Sequence, residues 1–496
     1  MAEIIFLHPL LIAGYEEENS VREVIEKINR ANSFLFDKAW EERSGEYFGY
    51  KLSNPYLEKP SIKYSLALLA GALKDLGYSI LYFPLNLYCY KLGFSEGLKK
   101  LRNYIEDAKI TGVSVYTPDV NSNIKVLEIV KKWNPNVKTV VGGPHATFKD
   151  LEVIGKDSVD FVVRGEGEET MKELVEAIFK DREDLLEGIR GITYKTKDGR
   201  IKRNPERPIS KDLDKYPLPD FSCIPQDSIK DLVAYTIVSR GCPYRCKFCA
   251  TQKLWGEKIR FRSPEKVAEE IEKIRKAFGQ NVVYLGGSFL VSKNYSSKLA
   301  EELKKLDEIN FFADFRPGEL DEEIIRRLMS SGFIKLSVEI QSGSPKILKL
   351  MGVKFRPDII KPQLEKLKKA GVPFVNGYWM FGYPGETYDT GIKSLEALNY
   401  LLRKRLLFDA NISIFTPLPG IEIYEHPEKY GVKILTKSYD EFNGSKAIIR
   451  HTLMEGEIEA LYLCAQILRL ENLCRYLGIN YKEILNFINF RKAPIN

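Results

Sequence analysis

Cys242-Pro243-Tyr244-Arg245-Cys246-Lys247-Phe248-Cys249 follows an apolar run at 232–238 and is introduced by Ser239-Arg240-Gly241. The apolar run reads as a buried strand, and Gly-Cys-Pro directly after it ends that strand in a loop. Three thiols are therefore expected at a strand's C-terminal end, where barrel enzymes place their chemistry. Cysteines at i, i+4 and i+7 can turn their sulfurs toward one centre, and thiolate sulfur suits zinc or an iron–sulfur cluster. A structural zinc site closes with four protein ligands. The nearest further candidate is Cys223, alone and far upstream, and no histidine lies between Cys242 and Trp255. A four-iron cluster held by three thiolates instead keeps one iron open to a small-molecule ligand. Three unconnected buried cysteines are the plainer alternative, disfavoured because cysteine is sparse elsewhere in the chain.

The Cys-x3-Cys-x2-Cys loop, with Phe248 just before the third cysteine, resembles the radical S-adenosylmethionine (SAM) superfamily. That resemblance implies a [4Fe-4S] cluster on Cys242, Cys246 and Cys249. It also implies that the open iron chelates the methionine end of SAM, and that an electron from the cluster cleaves SAM to a 5′-deoxyadenosyl radical. Phe248 then belongs to the SAM site.

A length of 496 residues suggests two to four domains, and 44% hydrophobic with 29% charged residues is ordinary globular composition. No stretch of about 18 uninterrupted apolar residues occurs, and the short apolar N-terminus lacks a basic lead or a small-residue cleavage site, so a cytoplasmic protein without a transmembrane segment is expected. Seven cysteines, an odd number, argue against a secreted disulfide framework. The net charge of +7 is spread over mixed Lys/Glu helices rather than gathered in a basic arm, which leaves nucleic acid out of the expected partners.

In the first 204 residues short apolar strands alternate with helical patterns. Strands are expected at 3–7, 78–83, 110–116, 138–141 and 161–163, and helices at 60–77, 122–133 and 168–179. Such alternation predicts an α/β domain with an open, doubly wound (Rossmann-like) parallel sheet whose ligand lies beyond the strands' C-terminal edge. Glycines in the edge loops let backbone approach a large planar or phosphate-bearing ligand. The combination VVGGPHAT, FVVRGEGEET and GITYKTKDGR resembles the cobalamin-binding domain found upstream of radical SAM cores. It implies Ser114, Thr117, Gly142, Gly143, Gly165, Glu166 and Gly167 as cobalamin-loop residues. The Asp-x-His-x-x-Gly signature of proteins that ligate cobalt through histidine is absent, so the cobalamin is expected to lack a protein His ligand, with His145 an ordinary loop residue. Residues 13–58 form an aromatic-rich insertion, read as a small satellite core or, alternatively, a substrate-facing lid.

Residues 205–228, rich in Pro, Asp and Lys, read as a linker. Over 229–425 six strand–helix units are expected, with strands at 232–239, 282–285, 311–315, 335–340, 374–380 and 408–415. Six units form a partial (β/α)6 TIM barrel with an open side, the count found in radical SAM cores. Motifs at the strand ends then take roles by resemblance. Gly286-Gly287-Ser288 stands where the family's Gly-Gly-Glu-type motif binds the methionine amino group, with Ser288 in place of the acid. Arg316 is placed for the SAM carboxylate, an exposed loop arginine being the alternative. Glu339-Ile340-Gln341-Ser342-Gly343-Ser344 resembles a Gly-Ile-Glu-Ser-Gly-Ser segment, which assigns Glu339, Gln341 and Ser342 to SAM. Gly382-Tyr383-Pro384-Gly385-Glu386-Thr387 resembles a turn common among cobalamin-associated members.

The last part, 426–496, is a helical C-terminal region with an apolar stripe at 455–477, expected to cap the barrel's open side. Cys464 and Cys474 lie in it as structural buried thiols. The resemblance implies a cobalamin-dependent enzyme that methylates an unactivated carbon of a small-molecule, lipid or peptide substrate, with SAM as the methyl source and a flavodoxin- or ferredoxin-type protein as electron donor. The alternatives are a radical cyclase, oxidase or C–C bond former whose N-terminal domain does not transfer methyl, and a non-catalytic iron–sulfur module. Methylthio transfer is disfavoured because no second three-cysteine set is present.

Overall fold

A computed structural model of the chain describes residues 2–10, 20–48 and 59–480. Its first half is built on a seven-stranded sheet of order β2-β1-β3-β4-β5-β6-β7. The strands are β1 (Ile4–Leu7), β2 (Ile80–Phe83), β3 (Ile110–Ser114), β4 (Lys138–Gly142), β5 (Phe161–Val163), β6 (Ile192–Lys195) and β7 (Ile201–Arg203). The first five run parallel, and β6 and β7 add antiparallel at one edge. The parallel strands read as unbroken apolar runs because both faces are covered. Ile4 and Phe6 pack against helix Tyr64–Leu73, whereas Ile5 and Leu7 face a second core with Leu101 and Val126. The order 2-1-3-4-5 puts a switch point between β1 and β3, with loops fanning out at the C-terminal edge. Two helices that periodicity did not show, Leu85–Leu92 and Phe94–Ile105, follow β2.

The second sheet has six parallel strands, β15-β14-β13-β12-β11-β8, the partial barrel expected. They are β8 (Thr236–Ile237), β11 (Val282–Gly286), β12 (Asn310–Phe315), β13 (Phe333–Gln341), β14 (Phe374–Phe381) and β15 (Asp409–Ile414). Helices Pro264–Phe278 and Tyr388–Arg403 are among those between the strands, the latter starting at a Thr387–Thr390 capping box. The first strand is far shorter than 232–239. Ala234 is held by the Gln280 side chain, which accepts its N–H at 2.9 Å and donates to its carbonyl at 2.8 Å, while Val233 bonds to Pro60 and Ile62. Those bonds replace the ladder. After β8 the chain enters a two-stranded antiparallel ribbon, β9 (Ser239–Arg240) with β10 (Arg260–Phe261), from which the cysteine loop projects.

The described part of the aromatic-rich insertion forms a small core of its own, seated on the barrel rather than on the first sheet. Helix Ser20–Phe48 buries Leu35, Phe36, Ala39 and Trp40 against Val282, Ile334, Phe374 and Phe408, all at the strands' N-terminal ends. It is the floor of the barrel, with Trp40 stacked on Phe374 at 3.7 Å between ring centroids. Residues 11–19 and 49–58 of that segment lie outside the described residues. Helix Glu455–Tyr476 runs along β15 and covers that sheet edge, with Arg469 gripping Asp409 through bonds of 2.7 and 2.6 Å. Cys474 is buried, but Cys464 is exposed, contrary to expectation, because the helix turns that position to solvent. No helix among the described residues is long and apolar enough to cross a membrane.

Candidate active site

The cysteine loop is pinned at several points. The Cys242 N–H bonds to the Gly256 carbonyl at 3.1 Å, the Cys249 N–H to Cys246 at 3.1 Å, and the Lys247 N–H to Met351 at 2.9 Å. Arg316, at the end of β12, donates from Nη1 to Cys246 Sγ at 3.1 Å, and its guanidinium lies 3.8 Å from the Tyr244 ring centroid. It is a buried residue at the loop, not an exposed arginine. Tyr244 in turn donates to Glu319 at 2.7 Å, and Glu319 accepts the Arg316 N–H at 2.7 Å. Burial pushes the Cys242 and Cys246 thiols up, and Arg316 opposes this at Cys246. Cys249 adds to the rise at both thiols. Among the described residues no three ligating side chains gather as a single ion requires. Three thiols on one pinned loop suit a cluster in which each thiolate holds a different iron.

Gly286-Gly287-Ser288 closes over this loop from β11. Gly287 has φ +106°, and a Cβ there would lie 2.6 Å from the Ser239 carbonyl oxygen, so only glycine fits. That turn sets the Ser288 hydroxyl at the Cys242 thiol. Glu339, on β13, faces Arg316. Burial raises its carboxyl to about 7, with Arg316 opposing and Asp314 and Glu319 adding to the rise. Gln341 takes φ +68° where β13 shifts register against β14. The structure thus brings Ser288, Arg316 and Glu339 to the cysteines. Ser342 is a different case: it is fully buried, bonded to the Ser394 hydroxyl at 2.9 Å and to the Ser344 N–H, so it orders the turn. Phe248 packs, partly buried, with the cluster of Ile347, Met351 and Tyr383.

At the C-terminal edge of the first sheet a cleft opens beside the segment that follows the cysteine loop. Ser114, Gly142, Gly143, Gly165, Glu166 and Gly167 line it. Gly143 has φ +97°, and a Cβ would meet the Val115 carbonyl at 2.6 Å. Its walls are largely apolar, from Leu68, Leu69, Met171, Ile237, Leu254 and Trp255, the last three contributed by the second half of the chain. An apolar cleft edged by glycine backbone suits a large, planar-faced ligand such as a corrin. Thr117 is not in it. That hydroxyl is buried behind the loop, 3.2 Å from His145 Nδ1. His145 is itself buried against Tyr439, its ring pushed down to about 4 by burial, and no histidine lines the cleft. Sequence reasoning missed Leu69, Arg240, Leu254 and Trp255. The last three flank the cysteine motif closely, and that proximity was the available signal.

Residues 58–175 match the B12 binding domain family and residues 236–398 the radical SAM superfamily. An uncharacterised methyltransferase of Pyrococcus horikoshii is 32% identical over 342 residues, which is 68% of this chain and 72% of that protein. The chain belongs to the radical SAM superfamily, in the branch that carries a B12 binding domain. As a cobalamin-dependent radical SAM enzyme it takes a [4Fe-4S] cluster, SAM and cobalamin. The anaerobic magnesium-protoporphyrin IX monomethyl ester cyclase of Rubrivivax gelatinosus is 27% identical, covering 79% of this chain and 71% of that protein. The fold is that of the radical SAM methyltransferase TsrM from Kitasatospora setae, solved with cobalamin and a [4Fe-4S] cluster: TM-score 0.66 at 16% identity, over 94% of this chain and 89% of that one.

Proposed function

We propose that this enzyme methylates an unactivated carbon, using SAM both as radical source and as methyl donor through cobalamin. The observation that supports the reading is the cleft shared by the two halves: Leu254 and Trp255, which follow the cysteine loop, and the glycine loops of the first sheet line one cavity. The chemistry those groups supply when bound is reductive cleavage of SAM to a hydrogen-abstracting radical and methyl transfer from cobalt. The chain's own part is placement. Cys242, Cys246 and Cys249 hold the cluster, Arg316 neutralises the charge gathered at Cys246, and Gly286, Gly287, Ser288, Glu339 and Gln341 edge the space for SAM. Ser114, Gly142, Gly143, Gly165, Glu166 and Gly167 admit the corrin, and the apolar walls exclude water from the radical. The methyltransferase relative supports this reading. An electron carrier of flavodoxin or ferredoxin type supplies the reducing equivalent, and the substrate is a small molecule, lipid or peptide.

The test is anaerobic incubation of the reduced holoenzyme with SAM bearing a deuterated methyl group and with candidate substrates. Product heavier by a labelled methyl group, with 5′-deoxyadenosine formed alongside, is expected. Deoxyadenosine with a product that carries no label would replace the proposal with a cyclase-type reaction, the direction in which the Rubrivivax relative points.

A further inference from the structure

The cysteine loop is tied to the cobalamin loop by four buried charges. Arg240 and Arg260 are the paired stem residues of the ribbon from which the cysteine loop projects. Both point at the loop after β5. Arg240 Nη1 lies 3.2 Å from Glu166 Oε1 and Arg260 Nη1 lies 2.8 Å from the same oxygen, while Arg240 Nη2 bonds Glu168. All four side chains are 10% exposed or less. Glu166 and Glu168 bracket Gly167 at the rim of the corrin cleft, and Arg240 lines that cleft too. Arg260 reaches further: its Nη2 donates to the Trp255 carbonyl at 2.9 Å, fixing the residue that forms the cleft's far wall. Two guanidinium groups and two carboxylates cancel in net charge, so the set is stable only while all four stay together; removing one partner strands a buried charge.

The loop between these stems carries three cysteines at one place and the cleft wall at another. Binding the cluster cross-links Cys242, Cys246 and Cys249 and so reduces the freedom of the segment that presents Trp255. A corrin packed on Trp255 restricts the same segment from the other side. Resting on the cofactor reading above, we propose that cobalamin binding and cluster assembly are thermodynamically coupled, each favouring the other, and that the Arg240–Arg260–Glu166–Glu168 clamp carries the coupling. Linkage makes the effect reciprocal: the factor by which the cluster tightens cobalamin equals the factor by which cobalamin tightens the cluster.

The test is cobalamin titration, followed by absorption, of the full chain with its cluster reconstituted and after iron removal by chelator. For the wild type the cluster-loaded form is expected to bind cobalamin about tenfold tighter or more, within the usual range of coupling between sites. In the Glu166→Gln/Glu168→Gln variant the ratio falls to within about twofold of unity. Phe6→Leu, which trims the cleft wall on β1, three strands from β5 in the sheet, weakens cobalamin in both forms and keeps the wild-type ratio; this separates coupling from simple damage to the cleft. As the reciprocal readout, cobalamin slows chelator-driven iron loss in the wild type and not in the double variant. A wild-type ratio near one, or a double variant that keeps the wild-type ratio, overturns the proposal. Failure of the wild type to take up cobalamin in either form overturns it together with the cofactor reading.

Discussion

Glu386→Gln should change the pH dependence of stability in a way that only a buried carboxyl explains. Glu386 follows β14 in the Gly382-Tyr383-Pro384-Gly385-Glu386 turn and is fully buried. One carboxylate oxygen accepts the Gly382 N–H at 2.6 Å, and the other has no hydrogen-bond partner among the described residues. Burial raises this carboxyl from 4.5 to about 7, against the pull of that N–H. Between those values the native chain keeps a proton that the unfolded chain releases. The unfolded state therefore binds fewer protons, and stability falls as pH rises through the window. At about 1.4 kcal/mol per pH unit, the loss from one end to the other is about 3 kcal/mol. Glutamine keeps an acceptor for Gly382 and does not titrate, but sets an amide N–H2 at the unpartnered position, costing roughly 1–3 kcal/mol at every pH. Relative to wild type, the variant is thus less stable at pH 5 and gains about 2.5 kcal/mol by pH 8, approaching or overtaking the parent. The assay is urea unfolding of the cluster-free protein at pH 5, 6, 7 and 8, in which groups that titrate alike in both proteins cancel in the difference. A difference that stays constant across that range would falsify the argument.

Three further outcomes follow from packing and charge. Arg469→Met leaves Asp409 buried at 0% side-chain exposure without its partner and should cost about 3–5 kcal/mol in urea, with much of the loss recovered in the Arg469→Met/Asp409→Leu double variant. A double variant as unstable as the single one would show that the pair is not the cause. Trp40→Ala removes the stacked floor of the barrel and should destabilise by about 3–5 kcal/mol, lowering the melting temperature; no shift would mean that helix Ser20–Phe48 is not seated on Phe374. Gly287→Ala puts a side chain against the Ser239 carbonyl in a left-handed conformation, a strain of about 1–3 kcal/mol, and should weaken SAM binding to the reconstituted protein about tenfold or more. Unchanged SAM affinity would remove that turn from the cofactor site.

The parts of the fold that show in the sequence are those whose residues answer to local physics. The parallel strands are apolar throughout because both faces are buried, and helix Glu168–Phe179 is bounded by glycine and acid at its start. The cysteine spacing states a ligand set directly. What stays hidden is set by partners distant in the chain. The strand expected at 232–239 is cut short by a side chain from Gln280. Helices Leu85–Leu92 and Phe94–Ile105 are divided only by Gly93, which obscures their period. The aromatic helix Ser20–Phe48 finds its core on the barrel floor, some 240 to 450 positions away in sequence, as the contacts of Phe36 and Trp40 with Val282 and Leu473 show. Thr117 and Ser342 sit in the right loops but turn inward to His145 and Ser394, a choice of direction that spacing within a turn does not encode. Arg240 stands two residues before the first cysteine, yet its role depends on Glu166 and Glu168 across the cleft.

Cys242, Cys246 and Cys249 holding an iron–sulfur cluster beside a cleft that holds cobalamin is the proposition on which the rest depends. Quantifying iron and cobalt in anaerobically reconstituted wild type and Cys246→Ala, with cobalamin in excess, tests it most directly. The expected result is about four irons and one cobalt per wild-type chain, and a Cys246→Ala protein that loses its iron while still taking up cobalt. Zinc in place of iron, iron retained without Cys246, or a wild-type chain that takes up no cobalt would contradict it.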